Sequence, residues 1–176
     1  MSREHESASI HEHREEAPRS VATAVITVSD TRTLEDDFGG GLVVELLEAA
    51  GHSVASRVIV KDEPAEIAEA VENATSHQGV RAVIVTGGTG VAPRDVTPDT
   101  IEPLLDRTIP GFGELYRVLS YQEIGSAALL SRALAGLKDG RVIFALPGSR
   151  GAVRLAMEKL ILPELGHLVS QAVKTR

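Results

Sequence analysis

The stretch Ala82-Val83-Ile84-Val85-Thr86-Gly87-Gly88-Thr89-Gly90-Val91-Ala92-Pro93-Arg94-Asp95-Val96-Thr97-Pro98-Asp99 decides the fold. A short apolar run is followed at once by three glycines among two threonines, and then by a charged pair that leads into a helix start. That order reads as strand, loop, helix. Backbone N–H groups can close around an anion only where no Cβ stands in the way, and threonine hydroxyls add donors at the same rim. Thr97 is placed to cap the next helix, and Pro98 suits its first turn.

Two other phosphate-binding patterns fail on this loop. The P-loop needs Gly-Lys followed by a hydroxyl residue, and the chain has no Gly-Lys pair. The dinucleotide fingerprint counted from Gly88 has its second glycine at Gly90, but Pro93 stands where the third belongs. A bare turn after a buried strand would explain the glycines. It would not need Arg94 and Asp95.

On the N-terminal side, Ala22 to Val28 is an apolar, β-branched run that delivers Ser29-Asp30-Thr31 to a loop. A helix follows Asp36-Asp37, with Leu42, Val43, Leu46, Leu47 and Ala50 spaced to bury one face and Gly51 as its stop. Val54 to Val60 reads as a second strand. Lys61-Asp62-Glu63-Pro64 opens another helix that buries Ile67, Val71 and Ala74. Strand, helix, strand, helix, strand favours parallel pairing with right-handed crossovers, so the expected class is a three-layer α/β/α fold with a mostly parallel sheet. Ligands in such sheets sit at the carboxyl ends of the strands, which places Ser29, Asp30, Asp62 and the glycine loop at one crevice.

On the C-terminal side, Thr97 to Leu105 reads as a short helix, and Pro110-Gly111 punctuates it before a longer one from about Phe112 to Ile124. Phe112, Tyr116 and Leu119 share a stripe that suits core, a subunit contact or a ligand-facing wall. Ser131 to Leu137 and Arg141 to Leu146 flank Lys138-Asp139-Gly140, an additional hairpin. Pro147-Gly148-Ser149 then leads into a helix through Val153, Met157 and Leu160, repeating strand, glycine turn, hydroxyl, helix. Ser149 can cap that helix and still bind phosphate, because the same N–H groups serve both.

With 176 residues and 18.7 kDa, the chain makes one domain, expected over residues 21–176. Residues 1–20 hold five glutamates, three arginines and three histidines (His5, His11, His13) with almost no apolar side chains, and are expected to be a disordered tail. A formal charge of −7 argues against a nucleic-acid surface. Zero cysteines exclude disulfides, thiolate zinc and a cysteine nucleophile. No apolar stretch suits a membrane span or signal peptide, so no membrane partner is expected and the cytoplasm is the expected location.

His52, His77 and His167 all lie away from the expected crevice, so a histidine base is not anticipated there. The crevice instead offers Asp62, Asp95 and Asp30 with hydroxyls from Ser29, Thr86, Thr89 and Ser149, a hard oxygen set that suits Mg²⁺ beside substrate phosphates. Such an inventory fits phosphoryl or nucleotidyl transfer, in which positioning and charge neutralisation carry most of the catalysis.

Thr86-Gly87-Gly88-Thr89-Gly90 with Arg94-Asp95-Val96-Thr97-Pro98 resembles the signature of the MoaB/Mog family of molybdenum cofactor biosynthesis proteins, related to the gephyrin G domain. Gly111-Phe112-Gly113-Glu114-Leu115-Tyr116-Arg117, Ser131-Arg132-Ala133-Leu134-Ala135-Gly136 and Leu146-Pro147-Gly148-Ser149 are similar to its MoaB branch. The resemblance implies Mg-ATP-dependent adenylylation of molybdopterin with release of pyrophosphate, or, in the same pathway, a non-catalytic pterin-binding or scaffold role. By the same likeness Asp95 and Asp62 are the catalytic, Mg²⁺-handling carboxylates. Ser29, Asp30, Thr86, Gly87, Gly88, Thr89, Gly90, Arg94, Pro147, Gly148 and Ser149 then hold pterin and nucleotide. It further implies a homo-oligomer, trimer or hexamer, and contacts with other proteins of the pathway. One departure stands out: several relatives carry a lysine two places after the serine of the Pro-Gly-Ser turn, where this chain has Gly151, leaving Arg150 or Arg154 to serve as the phosphate cation.

Overall fold

The computed structural model describes residues 17–174. Its centre is a six-stranded sheet in the order β2-β1-β3-β6-β5-β4, formed by β1 (Ala22–Val28), β2 (Ser53–Val60), β3 (Ala82–Thr86), β4 (Arg107–Thr108), β5 (Leu134–Lys138) and β6 (Arg141–Leu146). The four strands β2, β1, β3 and β6 are mutually parallel, while β5 runs antiparallel to β6 and β4 to β5. The expected α/β class and the added hairpin are both present. Asp139 and Gly140 turn that hairpin with φ of 50° and 71°, the paired positive values of a tight two-residue reversal.

Among the described residues, four α-helices lie between the strands, α1 (Phe38–Ala49), α2 (Pro64–Ser76), α3 (Thr97–Ile101) and α4 (Pro110–Ile124), and two follow β6, α5 (Arg150–Ala156) and α6 (Leu162–Ala172). A wide π turn, Met157–Ile161, joins α5 to α6. Pro163 stands two residues past its end and has no N–H to continue a regular ladder. Strand alternation divides the core into two. Val25, Ile84, Val142, Phe144 and Leu146 pack against Leu42, Val43 and Leu47 of α1, Phe112 and Tyr116 of α4, and the C-terminal helices. Ile26, Val28, Val83, Val85, Ile143 and Ala145 pack against Ile67 and Val71 of α2 and Ile101 of α3. The sheet is thereby covered on both faces, as parallel strands require.

Several local expectations are corrected. The helix expected from Phe112 starts two residues earlier, with Pro110 in its first turn where a missing N–H costs nothing. Of the three roles open to its stripe, Phe112 and Tyr116 take core: both are buried, and Phe112 meets the Phe144 ring edge-on at 5.3 Å. Thr97 does not cap α3. It is the first helical residue, and its N–H goes to the Gly88 carbonyl at 3.1 Å. The first hairpin arm begins at Leu134 and not Ser131, because Arg132 N–H is donated to Thr89 at 3.0 Å and not into the ladder.

The expected tail lies outside the described residues up to residue 16. Residues 17–20 are described, and Pro18 lies so close to Gly166 of α6 that a Cβ there would stand 2.6 Å from the Pro18 carbonyl oxygen. Among the described residues no helix is long and apolar enough to cross a membrane.

Candidate active site

At the carboxyl ends of β1, β3 and β6 three turns meet almost backbone to backbone. Gly87 has φ of 105°, and a Cβ on it would overlap the Val28 carbonyl oxygen. A Cβ on Gly148 would stand 3.3 Å from the Gly87 Cα. The Gly87 N–H bonds the Leu146 carbonyl at 3.0 Å, and the Thr86 hydroxyl is donated to the Pro147 carbonyl at 3.3 Å. These glycines are therefore fixed by the closeness of neighbouring chain as well as by their own turn.

A cavity of about 430 Å³ opens over this junction, lined by Ser29, Arg32, Phe38, Thr86, Gly87, Gly88, Gly148, Ser149 and Arg150 among others. Ser149 accepts from the Ala152 N–H at 3.3 Å, so it caps α5 while facing the cavity. Ser29 accepts from the Thr31 and Arg32 N–H groups at 3.3 and 3.2 Å and shapes its own turn. At the mouth, the exposed Phe38 ring has the guanidiniums of Arg32 and Arg150 at 5.8 and 6.0 Å from its centroid. Arg154 points elsewhere and pairs with Glu158 at 2.7 Å. Between the two candidate cations, Arg150 is the one at the cavity.

Gly88 is the wall shared with the carboxylates. A Cβ there would stand 2.9 Å from Asp62 Oδ1, and one on Gly90 would stand 2.7 Å from Asp95 Oδ2. The Asp62 N–H is donated to Asp30 Oδ1 at 3.0 Å, and Arg94 is ion-paired with the other oxygen of Asp30. Asp30, Asp62, Arg94 and Asp95 are thus brought together from three loops, as the strand order anticipated. Burial pushes the Asp62 carboxyl up from its ordinary value, and the charge of Asp95 pushes it further the same way. Asp95 itself accepts from the Ala92 N–H at 2.9 Å.

Two like-charged carboxylates held near each other beside the glycine loop match the donor chemistry of a hard divalent cation. Asp62 and Asp95 are the residues that would hold it. Among the described residues no group of three or more His, Asp or Glu side chains is gathered to bind a metal without help from a substrate. Behind the loop, Thr97 is fully buried with its hydroxyl lacking a partner among the described residues, and that hydroxyl lies against Gly88.

Among the described residues, the histidines stay out of the site. His52 accepts from the Val21 N–H at 3.2 Å, and its burial lowers its proton affinity. His77 borders a separate groove beside β2, and His167 pairs with Glu164 on α6.

Two residues outside the expected site list also shape the site. Asp37 is buried, caps α1 through the Gly40 N–H at 2.9 Å, accepts from the Thr27 hydroxyl at 2.7 Å and pairs with Arg57 at 3.0 Å. It sets the end of α1 that carries Phe38 and Gly39 to the cavity. Arg132 spans the glycine loop from behind, bonding the Gly90 and Asp95 carbonyls and both oxygens of Asp99. An acid just before a helical run was a legible signal for Asp37. Arg132 lies in a quoted motif, but its role is not legible there, because its acceptors, the Gly90 and Asp95 carbonyls and the Asp99 carboxylate, lie 33 to 42 residues away.

Comparison with known proteins adds to this geometry. Residues 24–167 match the family described as "Probable molybdopterin binding domain". The chain is 49% identical over 169 residues to molybdenum cofactor biosynthesis protein B of Halalkalibacterium halodurans, covering 96% of this chain and 99% of that one. Identity to the protein of the same name from Bacillus subtilis is 50% over 169 residues, with the same coverage. A crystal structure of molybdenum cofactor biosynthesis protein B superposes with a TM-score of 0.87 at 51% identity, covering 89% of this chain and 98% of that one. The tungsten cofactor synthesizing protein MoaB from Pyrococcus furiosus gives 0.81 at 37% identity, covering 90% and 100%.

Proposed function

The chain belongs to the molybdopterin binding domain family, and from that premise we propose that it serves molybdenum cofactor synthesis by adenylylating molybdopterin with Mg-ATP. The observation that carries the chemical half of this reading is the pair Asp62 and Asp95, held beside the glycine loop so that the Asp95 charge raises the Asp62 carboxyl. In the reaction, an oxygen of the pterin's terminal phosphate attacks the α-phosphorus of ATP, a new P–O bond forms, and the bond to the β-phosphate breaks to release pyrophosphate. A phosphate is already anionic near neutral pH, so the nucleophile needs no base, in keeping with a site whose titratable groups are carboxylates.

Mg²⁺ bound by the two aspartates would neutralise phosphate charge as pyrophosphate departs. The chain's own part is positioning. Backbone N–H groups of Gly88 to Gly90 and the Ser149 turn orient the phosphates, and Arg150 with Arg32 adds positive charge at the cavity mouth. Purified protein given Mg-ATP and molybdopterin should release pyrophosphate and form adenylylated pterin. Asp95→Asn should slow this by about 100-fold or more. Pterin binding without any pyrophosphate would leave a holding role in place of catalysis.

A further inference from the structure

Arg132 lies outside the carboxylate pair and the cavity lining, yet it makes more contacts to the glycine loop than any side chain within the loop makes. Its Nε donates to the Gly90 carbonyl at 2.7 Å, its Nη2 to the Asp95 carbonyl, and its Nη1 to Asp99 Oδ1 and Oδ2 at 2.9 and 2.8 Å. Its own N–H donates to Thr89 at 3.0 Å. One planar guanidinium therefore ties the start of the loop, its end and the helix beyond it to a single rigid fork. The side chain is about one-third exposed, so these bonds are partly shielded from water.

Between the tied ends, residues 91–94 are exposed and carry few restraints: an Asx-type bond from Ala92 N–H to Asp95 Oδ2 at 2.9 Å, and the Asp95 N–H to Ala92 carbonyl bond at 2.8 Å. Neither reaches outside the loop. Arg94 grips Asp30 on the solvent side, but that pair is largely exposed and holds weakly. The placement of Asp95 against Asp62 thus depends on what fixes the Asp95 main chain.

We propose that Arg132 is a positioning residue, which clamps the Gly90–Asp95 segment so that the Asp95 carboxylate is presented beside Asp62. It acts on the Mg-ATP end of the site by setting one of the two carboxylates, and so rests on the adenylyl-transfer reading for its catalytic consequence, though not for the clamp itself. Lysine could satisfy one of the acceptors but not the fork, so Arg132→Lys should keep only part of the effect.

The experiment has two arms on the full chain. In native-state hydrogen exchange, Arg132→Ala should lower protection at the Ala92, Asp95 and Thr97 amides at least tenfold, with Ile84 and Val85 of β3 unchanged. In the pyrophosphate assay, the Mg²⁺ concentration for half-maximal rate should rise at least tenfold in Arg132→Ala, less in Arg132→Lys, and least in Asp99→Asn, which leaves the carbonyl bonds intact. A variant that merely folded less well would lower the rate without moving the Mg²⁺ requirement. Unchanged exchange at the loop amides overturns the inference, as does equal loss throughout β3, which would make Arg132 a support of the whole fold. Absence of pyrophosphate from the wild-type protein refutes the adenylyl-transfer reading alone, and the exchange arm still decides the clamp.

Discussion

At the scale of single residues, the site is made by close approach. Gly87 combines a positive φ with a Cβ position already filled by the Val28 carbonyl oxygen. Gly87→Ala carries the left-handed penalty of about 1–2 kcal/mol and must also push β1 and β3 apart. Chemical denaturation should show a loss of about 2 kcal/mol or more, and a loss below 0.5 kcal/mol would contradict this geometry. The cavity cation is decided at the same scale. Arg150→Ala should weaken pterin binding about tenfold in a calorimetric titration, while Arg154→Ala should leave it unchanged, since Arg154 is engaged with Glu158 on the outer face. The loop's glycines, Asp62, Asp95 and Ser149 stood out in the sequence because each lies in a polar or glycine-rich stretch that follows an apolar, β-branched run. The division of labour between Arg150 and Arg154 was not. Nothing in their spacing from Ser149 says that one guanidinium turns back over Phe38 and the other along its own helix.

At the scale of elements, α1 shows how a helix end is set by a charge. Burial would raise the Asp37 carboxyl, but hydrogen bonds from Thr27, the Gly40 N–H and Arg57, with the charge of Arg57, outweigh it and hold the group below its ordinary value of 3.8. The folded state therefore binds this proton more weakly than the unfolded chain does. The stability it contributes is fully present above about pH 4 and is lost as the pH falls through the lowered folded value. Asp37→Asn should cost about 2 kcal/mol near pH 7, because Arg57 loses its charged partner, and should flatten the acid limb of the melting profile. Melting temperatures taken between pH 3 and pH 7 measure both effects. Helix and strand order was readable because the helices bury positions on a 3.6-residue repeat, while the central strands are short apolar runs buried at nearly every position. Element ends were less so. Thr97 has the chemistry of a cap but spends its N–H on Gly88, a contact between residues that no local pattern relates.

At the scale of the whole molecule, the exposed apolar surface is concentrated. Leu115, Val118, Tyr121 and Ile124 recur every three residues along α4, each more than half exposed, and Leu129, 81% exposed, continues the stripe with Leu130. A single chain gains nothing from such a stripe, and contiguous patches of this kind mark contact surfaces. The patch borders the site: a cavity of about 190 Å³ is lined by Ile124 and Leu130 on one side and by Thr89, Gly90 and Ser149 on the other. A second copy docked on α4 would therefore stand next to the glycine loop and shield it from water. The resemblance to the MoaB/Mog family implies a trimer or hexamer, and light scattering should then give the corresponding multiple of 18.7 kDa. Tyr121→Glu places a charge in the middle of the stripe, where the ring is 63% exposed and supports none of the core. It should release folded monomers with an unchanged far-ultraviolet dichroism spectrum, whereas a wild-type protein that already runs as a monomer would show that the stripe serves something other than self-association.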